Sequence, residues 1–258
     1  MVTFETKVYE NDWEYLLRNG FLKTMIERCN YSFQHKTLMI NNVKNLKRVK
    51  YYADKAIDEK IIDNYYVVDD YVDEVLNHFE IDRASFKGGY YYSISELVSI
   101  YLCKDEYLLH FSSDSFLGLY SKDKWIIEAL ALMNEHPEIV VANPVWNNNF
   151  KEAESESFKI LDKFYIGYGF SDQCYLIKTK VFQQQIYSET NIKSDRYPKY
   201  GGELFEKRVD AFMRNNGLKR ITSKESTYFH INFGKNIYKR TLFRLLPRLH
   251  FYSRFGAI

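Results

Sequence analysis

Long apolar runs are what this 258-residue sequence most plainly lacks. None approaches the roughly 18 residues that a bilayer-spanning helix needs, and the N-terminus shows no basic-then-apolar leader pattern. Glycine (11) and proline (4) are scarce, which excludes collagen-like and linker-like segments. Cysteine is scarcer still. Cys29, Cys103 and Cys174 are odd in number and widely separated, so they offer neither a disulfide framework nor metal-ligand spacing. Neither sign of charge dominates, and a net charge of +2 is too small for a chain that grips nucleic acid along its length. The expectation is a soluble chain in a reducing, cytoplasmic compartment, at least through residue 233. Aromatic residues are abundant: 23 Tyr and 19 Phe argue against disorder and for a substantial core.

Strand-like and helix-like segments alternate along the chain. Residues 2–9 read as a first strand. Asn11 or Asp12 can cap a helix in which Trp13, Leu16, Leu17, Phe21, Met25 and Ile26 recur at helical spacing. A second strand over 36–42 ends in Asn41-Asn42, a polar helix follows over 45–59, and a third strand over 65–70 ends in Asp69-Asp70. Gly88-Gly89 marks a turn, after which Ser95 caps a helix over 96–103. This order predicts an α/β fold with a mostly parallel sheet covered by helices.

The stretch 107–117 is the most informative. An apolar strand ends abruptly in Ser112, Ser113, Asp114 and Ser115. A strand ending this way presents a carboxylate at the carboxyl edge of a parallel sheet, where open α/β folds bind ligands. Mg²⁺ and Mn²⁺ take oxygen ligands, and diphosphate oxygens complete such a shell. The bland alternative is a strand followed by a Ser/Asp turn.

Residues 89–115, from Gly89 through the helix and charged turn to Ser112-Ser113-Asp114-Ser115, resemble the GT-A-fold glycosyltransferases, particularly those of the family 2 type. The likeness is one of pattern and extends over residues 2–230. It implies a GT-A-like domain over 1–233, with a nucleotide-binding half (1–118) and an acceptor half (119–233), followed by a tail over 234–258. Tyr9 and Glu10 then stand at the tip of the strand that meets the nucleotide base, Asn42 at a nucleotide-binding position where the family carries paired aspartates, and Ser112 and Ser113 beside the nucleotide diphosphate. Asp114 takes the role of the last aspartate of an Asp-x-Asp motif, which touches Mn²⁺ or Mg²⁺. Two positions depart from the pattern: Ser112 replaces the first aspartate, and Asn41-Asn42 replace a pair of aspartates. The implied donor is a nucleotide sugar, UDP- or GDP-linked.

Glycosyl transfer requires the departing diphosphate to be neutralised, and an inverting transfer requires a carboxylate to deprotonate the acceptor hydroxyl. The second half offers three candidates. Asp172 precedes a strand that closes the acceptor side; Glu203 and Glu206 open a helix running to Asn215, and Glu203 best matches the family's acidic motif. Acids in a first helical turn are also ordinary dipole partners. His230 follows a late strand and is a candidate Mn²⁺ ligand or a structural histidine, while His110 reads as core. Residues 125–135 read as a helix, 138–143 as a strand, 144–147 as its exit loop and 149–158 as a polar loop; Trp146 is either a sugar platform or packing.

Residues 235–258 carry six Lys/Arg and no acid among many apolar side chains. Such a segment suits an anionic membrane surface, or packs as a C-terminal helix or dimer contact. The sequence thus points to a glycosyltransferase of surface-polysaccharide assembly, acting on a glycan or lipid-linked acceptor and peripheral to the inner face of the cytoplasmic membrane. A GT-A-like module that binds nucleotide or a partner protein without catalysis is the alternative. A nucleotidyltransferase is disfavoured, because no glycine-rich, Lys/Arg-bearing phosphate loop follows the first strand.

Overall fold

The computed structural model describes residues 1–118, 124–197 and 204–230. In chain order its elements are β1 (Val2–Val8), α1 (Phe21–Arg28), β2 (His35–Ile40), α2 (Leu46–Asp58), β3 (Asn64–Val67), α3 (Val72–His78), α4 (Tyr90–Leu102), β4 (Tyr107–Phe111), β5 (Ser115–Leu117), α5 (Trp125–Glu135), β6 (Ile139–Trp146), α6 (Phe150–Ser155), β7 (Ser157–Leu161), β8 (Phe164–Gly167), β9 (Cys174–Lys178), α7 (Thr179–Phe182), α8 (Phe205–Asn215) and β10 (Lys219–His230). One sheet runs in the order β3-β2-β1-β4-β9-β6-β10-β8-β7, with β5 also on β10.

β1 is parallel to both β2 and β4, β2 to β3, and β6 to β10. β9 is antiparallel to both of its neighbours, β4 and β6. The strands on either side of β9 therefore point the same way, and the lead-in to β9 lies at the edge where the parallel strands end. Alternating side chains feed two cores. Phe4, Leu38, Leu109 and Leu176 pack with α1, α2 and α5 on one face; Met39, Leu108 and Ile177 pack with α3, α4, α7 and α8 on the other. Such alternation on both faces is the period-2 signature of a strand buried on two sides.

A double bend in β10 shapes the open edge. Between its pairings Thr222↔Asn143 and Thr227↔Val145, β10 advances five residues while β6 advances two. The extra residues loop out as a bulge, a device that re-aims side chains near functional sites. Before the bulge β10 pairs with β8; beyond it, with β5.

Several sequence expectations need correction. The first helix is two pieces, a π-helical turn (Glu14–Arg18) and α1, separated at Gly20, whose φ of +78° suits glycine and interrupts helical geometry. Ser95 lies inside α4, which starts at Tyr90. β6 runs on through the segment expected as its exit loop, and 149–158 contains α6 and the start of β7. The three cysteines are free and buried. Among the described residues no helix is long and apolar enough to cross a membrane. Glu203 and the tail 235–258 lie outside the described residues.

Candidate active site

Backbone register brings the two candidate metal ligands together. β5 follows Asp114 directly and pairs antiparallel with the end of β10, Ser115 opposite His230. His230 Nε2 consequently lies 3.2 Å from Asp114 Oδ2, both side chains largely buried. Ser112 donates from Oγ to Asp114 Oδ1 at 3.2 Å and lies 2.8 Å from Ser115 Oγ. Burial alone would raise the Asp114 carboxyl, but the hydrogen bond and positive charge of His230 prevail and hold it below the ordinary aspartate range. For His230, burial lowers the imidazole and Asp114 more than reverses it, so the net shift is upward.

The nucleotide-side candidates cluster beyond Asp114. Ser113 Oγ donates to Asp12 Oδ2, and the Tyr9 N–H donates to Asp12 Oδ1 at 2.8 Å. Asp12 is fully buried, and that burial, with the Asp114 charge adding to it, lifts its carboxyl well above the usual range. Burial and the charges of Asp12 and Asp114 raise the Tyr9 phenol, which stays a hydrogen-bond donor. Glu10 accepts the Lys44 N–H at 2.8 Å. Asn42, held at φ +50°, lines a cavity of about 630 Å³ together with Arg83, Lys87, Tyr90 and Tyr91. Burial raises the Tyr91 phenol, with Tyr92 and then the charges of Asp12 and Glu10 adding to it.

Below Asp114 the sheet carries a buried polar layer. Lys7 Nζ donates to Glu96 Oε1. His110 Nδ1 and Glu5 Oε2, on directly opposed residues of β4 and β1, are 2.5 Å apart, and His110 stacks on Tyr175 at 4.7 Å. Burial would lower the Lys7 ammonium, but Glu96, Asp172 and Glu5 together raise it, so Lys7 is a fixed cation. Burial raises the Glu96 carboxyl despite Lys7, and its Oε2 has no hydrogen-bond partner among the described residues.

Asp172 lies between this layer and α8: its charge acts on Lys7 and Glu96 and on Glu206, in the first turn of α8. Burial, followed by the Asp172 charge, raises the Glu206 carboxyl well above the ordinary glutamate range. Glu206 lines a cavity of about 470 Å³ over the face of β6 and β10, with Trp146, Arg196, Tyr197, Arg220 and Tyr228. Gln173 also lines it, and its carbonyl accepts the Ser112 N–H at 2.8 Å, so the cavity adjoins the Asp114 loop. Trp146 is 42% exposed at the end of β6, which makes it a rim residue rather than core. A smaller cavity, about 200 Å³ and lined by Thr3, His35 and Asn64, lies toward the opposite edge of the sheet.

Of the ten residues singled out by sequence, the structure gathers Tyr9, Ser112, Ser113, Asp114 and His230 at one edge, with Asp172 and Glu206 beside them. Glu10 and Asn42 sit apart from this cluster, Glu10 on the Lys44 N–H and Asn42 on the wall of the 630 Å³ cavity. Asp69 and Asp70 are exposed and take no part. Sequence reasoning missed Lys7, Glu96 and the site role of Asp12. The available signal was Glu5 and Lys7 alternating with Phe4, Thr6 and Val8 in a strand whose other face is apolar.

No protein-family model matches the sequence, and no curated protein matches it. Solved structures do match the fold. A UDP-glucose pyrophosphorylase complexed with UDP-glucose matches with TM-score 0.52 at 10% identity, over 88% of this chain and 92% of that one. GalNAc-T7 with UDP, GalNAc and Mn²⁺ matches with TM-score 0.51 at 10% identity, over 90% of this chain and 44% of that one. The likeness is one of fold: this chain carries a GT-A-like α/β domain with Asp114 and His230 paired at its open edge.

Proposed function

We propose that the chain is a metal-assisted glycosyltransferase that moves a sugar from a UDP-linked donor to a hydroxyl of a glycan or lipid-linked acceptor, with inversion. The observation that carries the reading is the 3.2 Å Asp114–His230 pair beside a cavity lined by a raised carboxyl, Glu206. UDP is favoured over GDP because the two similar structures are complexes of UDP or UDP-glucose.

A carboxylate held ionised and an imidazole at this spacing fit Mn²⁺ or Mg²⁺, with diphosphate oxygens and water for the remaining positions. When bound, the cation neutralises the departing diphosphate. Ser112 orients the Asp114 carboxylate, and Ser113 with Asp12 fixes the loop that carries it. Tyr9 and Asn42 face the nucleotide, with Glu10 bracing the adjoining loop. Glu206 takes the proton from the acceptor hydroxyl. Burial, with the Asp172 charge adding to it, raises its affinity for protons and makes it a stronger base than an exposed glutamate. Glu203, the residue favoured by the sequence pattern, is the competing base. Placement on the inner face of the cytoplasmic membrane, and with it a role in surface-polysaccharide assembly, rests on the basic-aromatic composition of 235–258.

The test is UDP-sugar turnover with and without Mn²⁺, for the intact chain and for Asp114→Asn, Glu203→Gln and Glu206→Gln. Turnover should need metal and Asp114, and Glu206→Gln should reduce it about 10²–10⁴-fold. A collapse confined to Glu203→Gln would transfer the base role to Glu203. Equal turnover in excess chelator would end the metal-assisted reading.

One observation favours a second reading. Among the described residues no three His, Cys, Asp or Glu side chains converge as a metal site. A GT-A-like module that binds nucleotide without turnover would then show UDP binding that is insensitive to Mn²⁺. The pyrophosphorylase reaction is disfavoured, because β1 runs into Tyr9-Glu10-Asn11-Asp12 rather than a glycine-rich, basic phosphate loop.

A further inference from the structure

The 470 Å³ cavity contains two guanidinium groups held by one carboxylate. Arg196 donates from Nη1 to Glu156 Oε1 at 2.7 Å, and Arg220 from Nη2 to Glu156 Oε2 at 3.2 Å. Glu156 thus bridges both arginines, one oxygen to each, so that two charge-assisted hydrogen bonds converge on a single anionic group. The three side chains differ in how firmly they are held. Arg220 is 9% exposed and projects from the middle of the sheet, whereas Glu156 is part-exposed in the short connection between α6 and β7. Arg220 Nε is buried and has no acceptor among the described residues.

The backbone is cut away to admit these groups. Gly169 has φ +109°, and a Cβ there would lie 2.6 Å from Arg196 Nη2 and 2.9 Å from Arg220 Nη1. Among the described residues Glu156 is the one acid of the cavity hydrogen-bonded to these guanidinium groups; Glu152, in exposed α6, accepts instead from Asn149 Nδ2 at 3.2 Å. Two guanidinium groups therefore share one carboxylate, and that carboxylate is part-exposed on the short connection between α6 and β7.

We propose that the acceptor carries an anionic group, a carboxylate or phosphate on a sugar, which docks on Arg196 and Arg220 in place of Glu156. This rests on the acceptor role proposed above for the cavity. Trp146 at the rim covers the apolar face of the same sugar. Glu156 acts as an internal stand-in: it keeps the guanidinium groups paired until an anion competes for them, which also discourages neutral sugars from settling there.

Trp146 supplies the readout. Of the three tryptophans it alone is exposed, Trp13 and Trp125 being buried. Fluorescence titration of the full chain with glucose, glucuronate, glucose 6-phosphate and inorganic phosphate, at constant ionic strength, measures binding directly, and Trp146→Phe identifies the signal. At least one anionic sugar should bind about tenfold or more tighter than glucose, the contribution of one charge-assisted hydrogen bond. The ratio of glucuronate to glucose 6-phosphate separates carboxylate from phosphate recognition. Arg196→Gln and Arg220→Gln should each erase the preference. Glu156→Gln, checked by thermal melting to remain folded, should tighten anion binding several-fold by removing the competitor. Glucose binding as tightly as the anions, or Glu156→Gln weakening them, would overturn the proposal. UDP-sugar hydrolysis measured separately distinguishes the two readings. Anion binding without hydrolysis keeps this site and defeats the transferase; hydrolysis with transfer only to neutral sugars does the reverse.

Discussion

Replacing Lys7 with methionine would remove the cation from the buried polar layer while keeping most of the side-chain volume. Lys7 is 18% exposed at its side chain and Glu96 not at all, so the substitution strands a carboxylate whose Oε2 already lacks a hydrogen-bond partner among the described residues. Breaking a buried pair from one side costs about 3–5 kcal/mol. The partial exposure of Lys7 places the loss near the lower end, about 3 kcal/mol, or about 6–12 °C in melting temperature for a chain of this size. The loss should depend on pH. Burial already raises the Glu96 carboxyl despite Lys7, and without Lys7 it rises further. The native state then binds more protons than the unfolded chain from the ordinary glutamate value up to the raised one. Stability of Lys7→Met therefore falls as pH rises through that window and recovers below it. Urea unfolding at pH 5 and pH 8 of the parent, Lys7→Met, Glu96→Gln and the double variant tests this. The double variant should be more stable than Lys7→Met at pH 8, and the cycle should show strong coupling. Additive single effects, or a Lys7→Met loss equal at both pH values, would refute the buried-pair reasoning.

Three further outcomes follow from the geometry. His230→Gln should abolish Mn²⁺ stimulation of UDP binding, read by calorimetry, while leaving the unfolding midpoint within a few degrees; unchanged stimulation would remove His230 from the metal site. Glu206→Gln should flatten the fall in stability that the raised Glu206 carboxyl imposes as pH climbs above the ordinary glutamate range, making the variant more stable than the parent at pH 8 in thermal melts. Gly169→Ala should lose about 1–3 kcal/mol, because alanine is strained at φ +109° and its Cβ meets the guanidinium groups; a melting temperature matching the parent would show that the loop yields.

Local signals made much of the fold legible. Asn45 caps α2 by accepting the Arg48 N–H, as its position ahead of a polar, periodic segment implies, and α5 occupies the residues its apolar spacing marks out. The end of β4 was legible because an apolar run stops at small polar residues around a single carboxylate. Direction within the sheet was not. Cys174–Lys178 is a short apolar strand buried on both faces, and such a pattern is the same read either way, so its antiparallel insertion between β4 and β6 follows only from the tertiary structure.

The same limit explains the missed residues. Glu96, Ser95 and Ser99 lie on a helix that the sequence pattern starts too late, because a serine before a glutamate looks like a cap. Their buried positions make sense only once α4 lies over Glu5, Lys7 and His110, and the Glu5–His110 pairing is a property of β1–β4 register rather than of either strand. Asp12 likewise looks like a helix cap, yet it accepts the Tyr9 N–H three residues before it rather than one after it, and its other oxygen holds Ser113, far away in sequence. The paired Asp114 and His230 depend on a still longer chain of causes: the β10 bulge frees the end of β10 from β8, β5 takes that place, and Ser115 opposite His230 sets the spacing. Residue type could nominate each partner. Only strand register could join them, which is why a substitution in the β10 bulge should damage the site as surely as one in Asp114 itself.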